Sequence, residues 1–187
     1  MPRVCGVTTL GRTRYSLHRE QFRHLRGRGF EVTGVAGPDD GHEHLRAMGI
    51  PTRVAPLTRS FTPIKDLTAL VKLWRLLAFG RFDIVHFSTT KAAFLTSIAA
   101  TLAGCRRRFY TCRGRLYLPE DSLSYRIWLC YQRTVFRLCT RCIFICHELK
   151  DWMVRRRLCP EAKGDVIGSG SSNRSEEHTS ELQSLLI

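Results

Sequence analysis

Acidic side chains are scarce in this sequence: its 187 residues hold 16 Asp and Glu against 30 Lys and Arg, a formal charge of +14. Long apolar runs are missing too. The best candidate, AAFLTSIAATLAG at residues 92–104, is broken by Thr and Ser and falls short of the roughly twenty apolar residues that span a bilayer. Any membrane contact is therefore expected to be peripheral. The opening MPRVCGVTTLG has no apolar stretch long enough for a secretory leader. The eight cysteines then read as reduced thiols of a cytosolic protein, not as a disulfide framework. Internal repeats and low-complexity tracts are absent, which excludes solenoids and fibrous architectures.

The basic excess belongs to the body of the chain. Residues before Arg174 carry 29 Lys and Arg against 13 Asp and Glu, whereas the tail from Arg174 is acidic. Such a charge favours polyanions: nucleic acid, acidic membrane surfaces or phosphorylated substrates. It is also what an Arg-rich solvated surface looks like. One cysteine cluster, CTRCIFICH, combines Cys139, Cys142, Cys146 and His147. A zinc site needs ligand pairs that close a tetrahedron, but a strand over 143–146 sends Cys146 and His147 to opposite faces. Buried apolar thiols are the expectation, and no metal.

Apolar runs alternate with helical patterns along the whole body. Strands are predicted at 3–9, 30–36, 50–57, 82–88, 107–114 and 141–147, and GDVIGSG closes the series. Between them lie helical stretches. One has Leu17, Phe22 and Leu25 near helical spacing, and a long one places Leu67, Leu70, Val71, Trp74 and Leu77 along one stripe. Others run over 91–103, 121–139 and 148–157. Trp74 is expected in the core. The 50–57 strand contains prolines and belongs near an edge. This rhythm predicts an α/β fold, a doubly wound, mostly parallel, Rossmann-like sheet.

Ligands of such sheets sit beyond the carboxyl ends of the strands. After the first strand, Gly11 allows close backbone approach and opens a helix that offers free N–H groups. After the fourth, HFSTTKAAF places Thr89 or Thr90 as a cap and Lys91 in a helical first turn, where a cation opposes the dipole unless an anion is near. His86 precedes them within the strand. After the fifth, Arg113 and Arg115 bracket Gly114. Each is an ordinary cap or turn alone; together they point to a phosphate-bearing ligand. The segment GSGSSN imitates a dinucleotide fingerprint but lacks its third glycine and its following helix.

The blocks LRGRGFEVTGVAGP, SFTPIKDLTALVKLWRLL, FDIVHFSTTKAAFLTSIAATLAG, RFYTCRGRLY and VIGSGSSN, over residues 3–173, resemble the N-terminal half of a GT-B glycosyltransferase of family four. The likeness is to enzymes that build bacterial surface polysaccharides. It implies an acceptor-side domain at 1–173 and a missing C-terminal domain carrying the catalytic donor contacts. The donor it implies is a nucleotide sugar such as a UDP-sugar, with no bound cofactor or metal. The implied acceptor is a glycan or a lipid-linked sugar, met in the cytoplasm or peripherally on the inner membrane face, where an anionic surface attracts the basic body. Where many relatives place a His before the glycine of the fifth-strand loop, this chain has Arg113. That His role is not carried over; Arg113 is left as a phosphate contact. Gly11, His86, Thr90, Lys91 and Arg113 are the substrate-binding candidates, and the catalytic residues are unknown.

Residues 174–184, RSEEHTSELQS, are the translation of a sequence resembling a widely used sequencing-library adapter. The expectation is a truncated gene fragment ending in a non-native, disordered tail at 174–187. Two other classes compete: a basic nucleic-acid-binding module, which lacks any recognised RNA- or DNA-binding signature, and a nucleotide-binding oxidoreductase domain, which lacks the glycine fingerprint.

Overall fold

A computed structural model describes residues 1–60 and 62–167. The expectations for GSGSSN and for the 174–187 tail fall outside those residues. Seven strands form one sheet: β1 (Arg3–Leu10), β2 (Glu31–Gly37), β3 (Thr52–Val54), β4 (Ile84–Ser88), β5 (Arg107–Cys112), β6 (Arg141–Phe144) and β7 (Gly164–Val166). Their order is β3-β2-β1-β4-β5-β6-β7, and every pairing is parallel. The doubly wound expectation holds. β3 with its flanking prolines lies at an edge, where a missing N–H costs no ladder bond.

Six helices connect the strands: α1 (Gly11–Gly27), α2 (Gly41–Ala47), α3 (Pro63–Gly80), α4 (Thr90–Leu102), α5 (Leu123–Leu138) and α6 (His147–Arg155). Local chemistry sets their ends. Pro63 sits in the first turn of α3, where its fixed φ suits a helix start. Ser122 caps α5 by accepting a hydrogen bond from the Tyr125 N–H at 3.1 Å. α1 begins directly at Gly11, with no loop after β1, and its first turn lies against the start of α2. A Cβ on Gly41 would stand 2.1 Å from the Arg12 nitrogen, so only glycine permits that crossing.

The two faces of the sheet differ. α3 to α6 pack on one face around Cys5, Val7, Val85, Phe87, Tyr110 and Phe144. α1 and α2 pack on the other around a smaller cluster of Val4, Phe22, Val32, Leu45 and Ile50. Six cysteines are buried, and burial pushes the Cys5, Cys112 and Cys139 thiols up to about 12, so they behave as small apolar groups. Cys146 is exposed one position before α6.

Two helical stripes differ from expectation. In α3 the buried face is Asp66, Ala69, Leu73 and Leu77, while Leu67, Val71 and Trp74 are exposed. Both sets recur at helical spacing, so periodicity cannot choose between them; the core position of Trp74 is corrected. In α1 the inner positions belong to Arg14, His18 and Phe22, with Leu17 and Leu25 only half-buried. Leu73→Ala should cost about 2–5 kcal/mol, while Leu67→Ala on the outer stripe should stay within about 0.5 kcal/mol. Urea unfolding of both variants checks the assignment; equal losses would overturn it.

Candidate functional site

All described strands are parallel, so their carboxyl ends share one edge, and among the described residues the loops there line two open hollows. One, of about 680 Å³, lies over the starts of α1 and α2 and is lined by Arg12, Tyr15, Asp40, His44 and Arg59 among others. Arg12 binds both oxygens of Asp40, and that contact holds the Asp40 carboxyl below its usual range. The second, of about 560 Å³, lies over the ends of β5 and β6. Arg113, Arg115, Tyr117, Trp152 and Arg155 contribute to it. Here Arg115 stacks on Tyr117 at 4.7 Å and on Trp152 at 5.2 Å, an aromatic and cationic wall suited to sugar rings and phosphate.

The structure separates the five candidate residues. Gly11 is buried at the start of α1, and a Cβ there would lie 2.4 Å from Asp39 Oδ1, so its small size serves the α1–α2 crossing. Thr90 opens α4, behind Thr89, whose φ is 69°. That left-handed conformation costs a β-branched residue about 1–3 kcal/mol. It is held by Thr89 Oγ1, which lies 2.7 Å from Thr9 Oγ1 and accepts from the Thr9 N–H.

Lys91 points to the α3 side. Its ammonium pairs with Asp66 at 2.6 Å and donates to Thr58 Oγ1 at 3.1 Å and to the Ser60 carbonyl. Asp66 also accepts from the Thr62 N–H and hydroxyl, both at 3.2 Å. The cation therefore closes the loop before α3.

His86 and Arg113 come together on the α1 side. His86 Nε2 lies 2.7 Å from Thr111 Oγ1, and Arg113 donates to the Leu17 carbonyl at 3.3 Å. Two residues that sequence reasoning missed complete the group. The His18 ring meets His86 edge-on at 5.1 Å, and its Nε2 lies 3.0 Å from Ser88 Oγ. Arg14 is fully buried, with its guanidinium 5.0 Å from the Phe22 ring. Burial, reinforced by Arg14 and then Arg113, depresses His86 to about 3; burial and Arg14 likewise lead in depressing His18. Burial also lowers Arg14 to about 9, with Cys5 opposing and Arg113 adding, so it is cationic at neutral pH. Positions 14, 18 and 22 recur every four residues, the signal that would have placed Arg14 and His18 inward.

This is a Rossmann-like α/β domain with polar hollows at the carboxyl edge of its sheet. Residues 19–171 match the profile of Glycosyltransferase Family 4, and the chain belongs to that family. It is 29% identical over 157 residues to a Staphylococcus aureus capsular polysaccharide biosynthesis glycosyltransferase, CapM, covering 84% of this chain and 41% of that protein. It is also 29% identical over 178 residues to an Escherichia coli UDP-Gal:alpha-D-GlcNAc-diphosphoundecaprenol alpha-1,3-galactosyltransferase, covering 91% and 43%. The chain thus spans less than half the length of these relatives.

Solved structures share the fold. Acinetobacter baumannii MurG superposes with a TM-score of 0.65 at 14% identity, covering 94% of this chain and 47% of that one. Anabaena HepE in complex with UDP and glucose gives 0.67 at 16%, covering 100% and 50%. Rickettsia bellii UDP-N-acetylglucosamine 2-epimerase gives 0.69 at 16%, covering 100% and 49%. An epimerase among them shows that the fold alone does not specify transfer.

Two outcomes are expected. Lys91→Met strands a buried carboxylate and should destabilise by about 3 kcal/mol, with Asp66→Asn/Lys91→Met recovering most of it in urea unfolding; an unchanged single variant would mean the ammonium is free for ligand. The depressed His86 contributes stability fully present above pH 6.5 and lost as pH falls towards 3, because the unfolded chain takes up the proton first. His86→Gln should therefore remove up to ~1.4 kcal/mol per pH unit of the acid-side slope; an unaltered slope would refute it.

Proposed function

We propose that this chain is the acceptor-side half of a longer glycosyltransferase that moves a sugar from a nucleotide-sugar donor, such as a UDP-sugar, to a glycan or lipid-diphosphate-linked acceptor of a bacterial surface polysaccharide. The family match over residues 19–171 carries this reading. The relatives add to it, since one is named for capsular polysaccharide and the other for a diphosphoundecaprenol acceptor. The further half, of about the same length, supplies the rest of a cleft whose floor is the carboxyl edge described above. Arg113, Arg115 and Trp152 receive the acceptor's phosphate and sugar, with Gly11 and Thr90 shaping the backbone around it and His86 supporting Arg113. Lys91 acts by holding the loop that precedes α3. Residues 174–187 take no part, in line with an adapter origin.

A membrane surface is the setting we favour. Among the described residues no helix is long and apolar enough to cross a bilayer. α3, however, exposes Ile64, Leu67, Val71 and Trp74 beside Lys65, Lys72 and Arg75, while its one acidic residue, Asp66, is buried. An apolar ridge flanked by cations suits an anionic leaflet. The nucleic-acid alternative has only the net charge in its support.

The test uses the full-length gene product with labelled UDP-sugars and a polyprenyl-diphosphate-linked acceptor in vesicles. Transfer is expected, faster on anionic than on zwitterionic vesicles. Arg113→Ala should lose about tenfold or more in kcat/KM, the scale of a lost charged contact, and Leu67→Glu should lose the anionic-vesicle advantage. Absence of transfer to any lipid-linked or glycan acceptor would defeat the reading.

A further inference from the structure

At the amino end of the sheet, opposite the candidate site, an open hollow of about 540 Å³ lies between the ends of α5 and α6 and the start of β7. Cys159 lines it, with Arg133, Arg137, Arg157, Lys163 and Glu161 among its neighbours there. Cys159 is 2% exposed, so only a small molecule reaches its sulfur. Behind it, at the second position of β6, stands the fully buried Cys142, whose thiol donates a hydrogen bond to the Cys159 sulfur.

A cation beside this pair is fixed in place. Lys163 Nζ closes the end of α5 by donating to the carbonyls of Phe136 at 3.1 Å and of Arg137 and Cys139 at 3.0 Å. The hydrogen bond from Cys142, and then Lys163 and Lys150, draw the Cys159 thiol down against the opposing effect of burial. Burial first, and then that same hydrogen bond, push Cys142 up. One sulfur of the pair thus ionises more readily and its neighbour keeps its proton, an asymmetry that suits an attacking and a resolving thiol. The other buried thiols Cys5, Cys112 and Cys139 are all pushed up.

We propose that Cys159 and Cys142 form an oxidisable dithiol: a small hydroperoxide entering the hollow between α5 and α6 oxidises Cys159, and Cys142 closes a disulfide onto it. The Cys159 thiolate attacks the O–O bond of hydrogen peroxide. An S–O bond forms, the O–O bond breaks, and the departing oxygen leaves as water, giving a sulfenic acid. The Cys142 sulfur then displaces the sulfenic hydroxyl as a second water, so the S–O bond breaks as the S–S bond forms. Two thiols and one peroxide become one disulfide and two waters, with two electrons passing from sulfur to oxygen. Cys142 precedes α6 and Cys159 follows it, so the bond brackets the helix that carries Trp152 and Arg155 of the β5–β6 hollow. None of this rests on the sugar-transfer reading.

The test treats the reduced 187-residue chain with an equimolar amount of hydrogen peroxide. The remaining thiols are then blocked with N-ethylmaleimide in denaturant, and the peptides are mapped by mass spectrometry. The eight thiols should fall by two, with a Cys142–Cys159 linkage that dithiothreitol reverses. Oxidation confined to the exposed Cys130 and Cys146, with Cys142 and Cys159 both alkylated, overturns the proposal. In Cys142→Ser, the Cys159 sulfenic acid loses its resolving partner and should label with dimedone about tenfold more than in the wild type; no increase overturns the order of attack. Cys159→Ser should leave Cys142 reduced, and oxidation of Cys142 at the wild-type rate in that variant counts equally against it. If Cys142→Ser fails to fold, the wild-type peptide map still decides, because it needs no substitution. The map is read without any transfer reaction, so its failure and that of the glycosyltransferase reading are separate results.

Discussion

A parallel sheet keeps its ladder hydrogen bonds only where helices shield its faces from water. That requirement organises this molecule. Central strands β1 and β4 are buried along nearly their whole length, and each crossover must return a helix over the sheet. Because all strands run one way, the loops between strand ends and helix starts collect on one edge. The location of the candidate site follows from the ladder.

The shielding is not symmetric. Over β4 and β5 the α3–α6 side is filled by aromatic and aliphatic groups such as Phe87, Tyr110 and Phe136. The α1 side places His18, His86, Ser88 and Thr111 against the same strands. Its polar members satisfy one another in pairs, which makes a buried polar layer tolerable. Buried charge is handled in two ways. Lys91 and Asp66 neutralise each other and tie α3 to α4 through the 58–62 loop. Arg14 has no such hydrogen-bonded partner among the described residues and lies against the Phe22 ring instead.

Much of this was legible in the residues. The order of strands and helices, the edge position of β3 and the buried thiols follow from periodicity, proline placement and side-chain polarity. The α3 stripe was not, because Leu67, Val71 and Trp74 are spaced as helically as Ala69, Leu73 and Leu77. A helix with two apolar stripes has two ways to face a sheet, and its own sequence does not say which. Arg14 and His18 were hidden for a related reason. Polarity sends Arg and His outward by default, and only the four-residue spacing to Phe22 argues the opposite.

By itself, then, the chain determined its class, its parallel topology and which loops gather at the carboxyl edge of the sheet, since these depend on local periodicity and on the geometry of β-α-β connections. The tertiary structure alone decided which charges became partners. Lys91 and Arg113 look equivalent as basic residues just past strand ends, yet one meets Asp66 of α3 on one face of the sheet and the other donates to the Leu17 carbonyl of α1 on the opposite face. Asp66 stands 25 residues before Lys91 and Leu17 stands 96 before Arg113; pairings at such separations are set by how helices settle on the sheet, where desolvation and packing act on the whole domain at once.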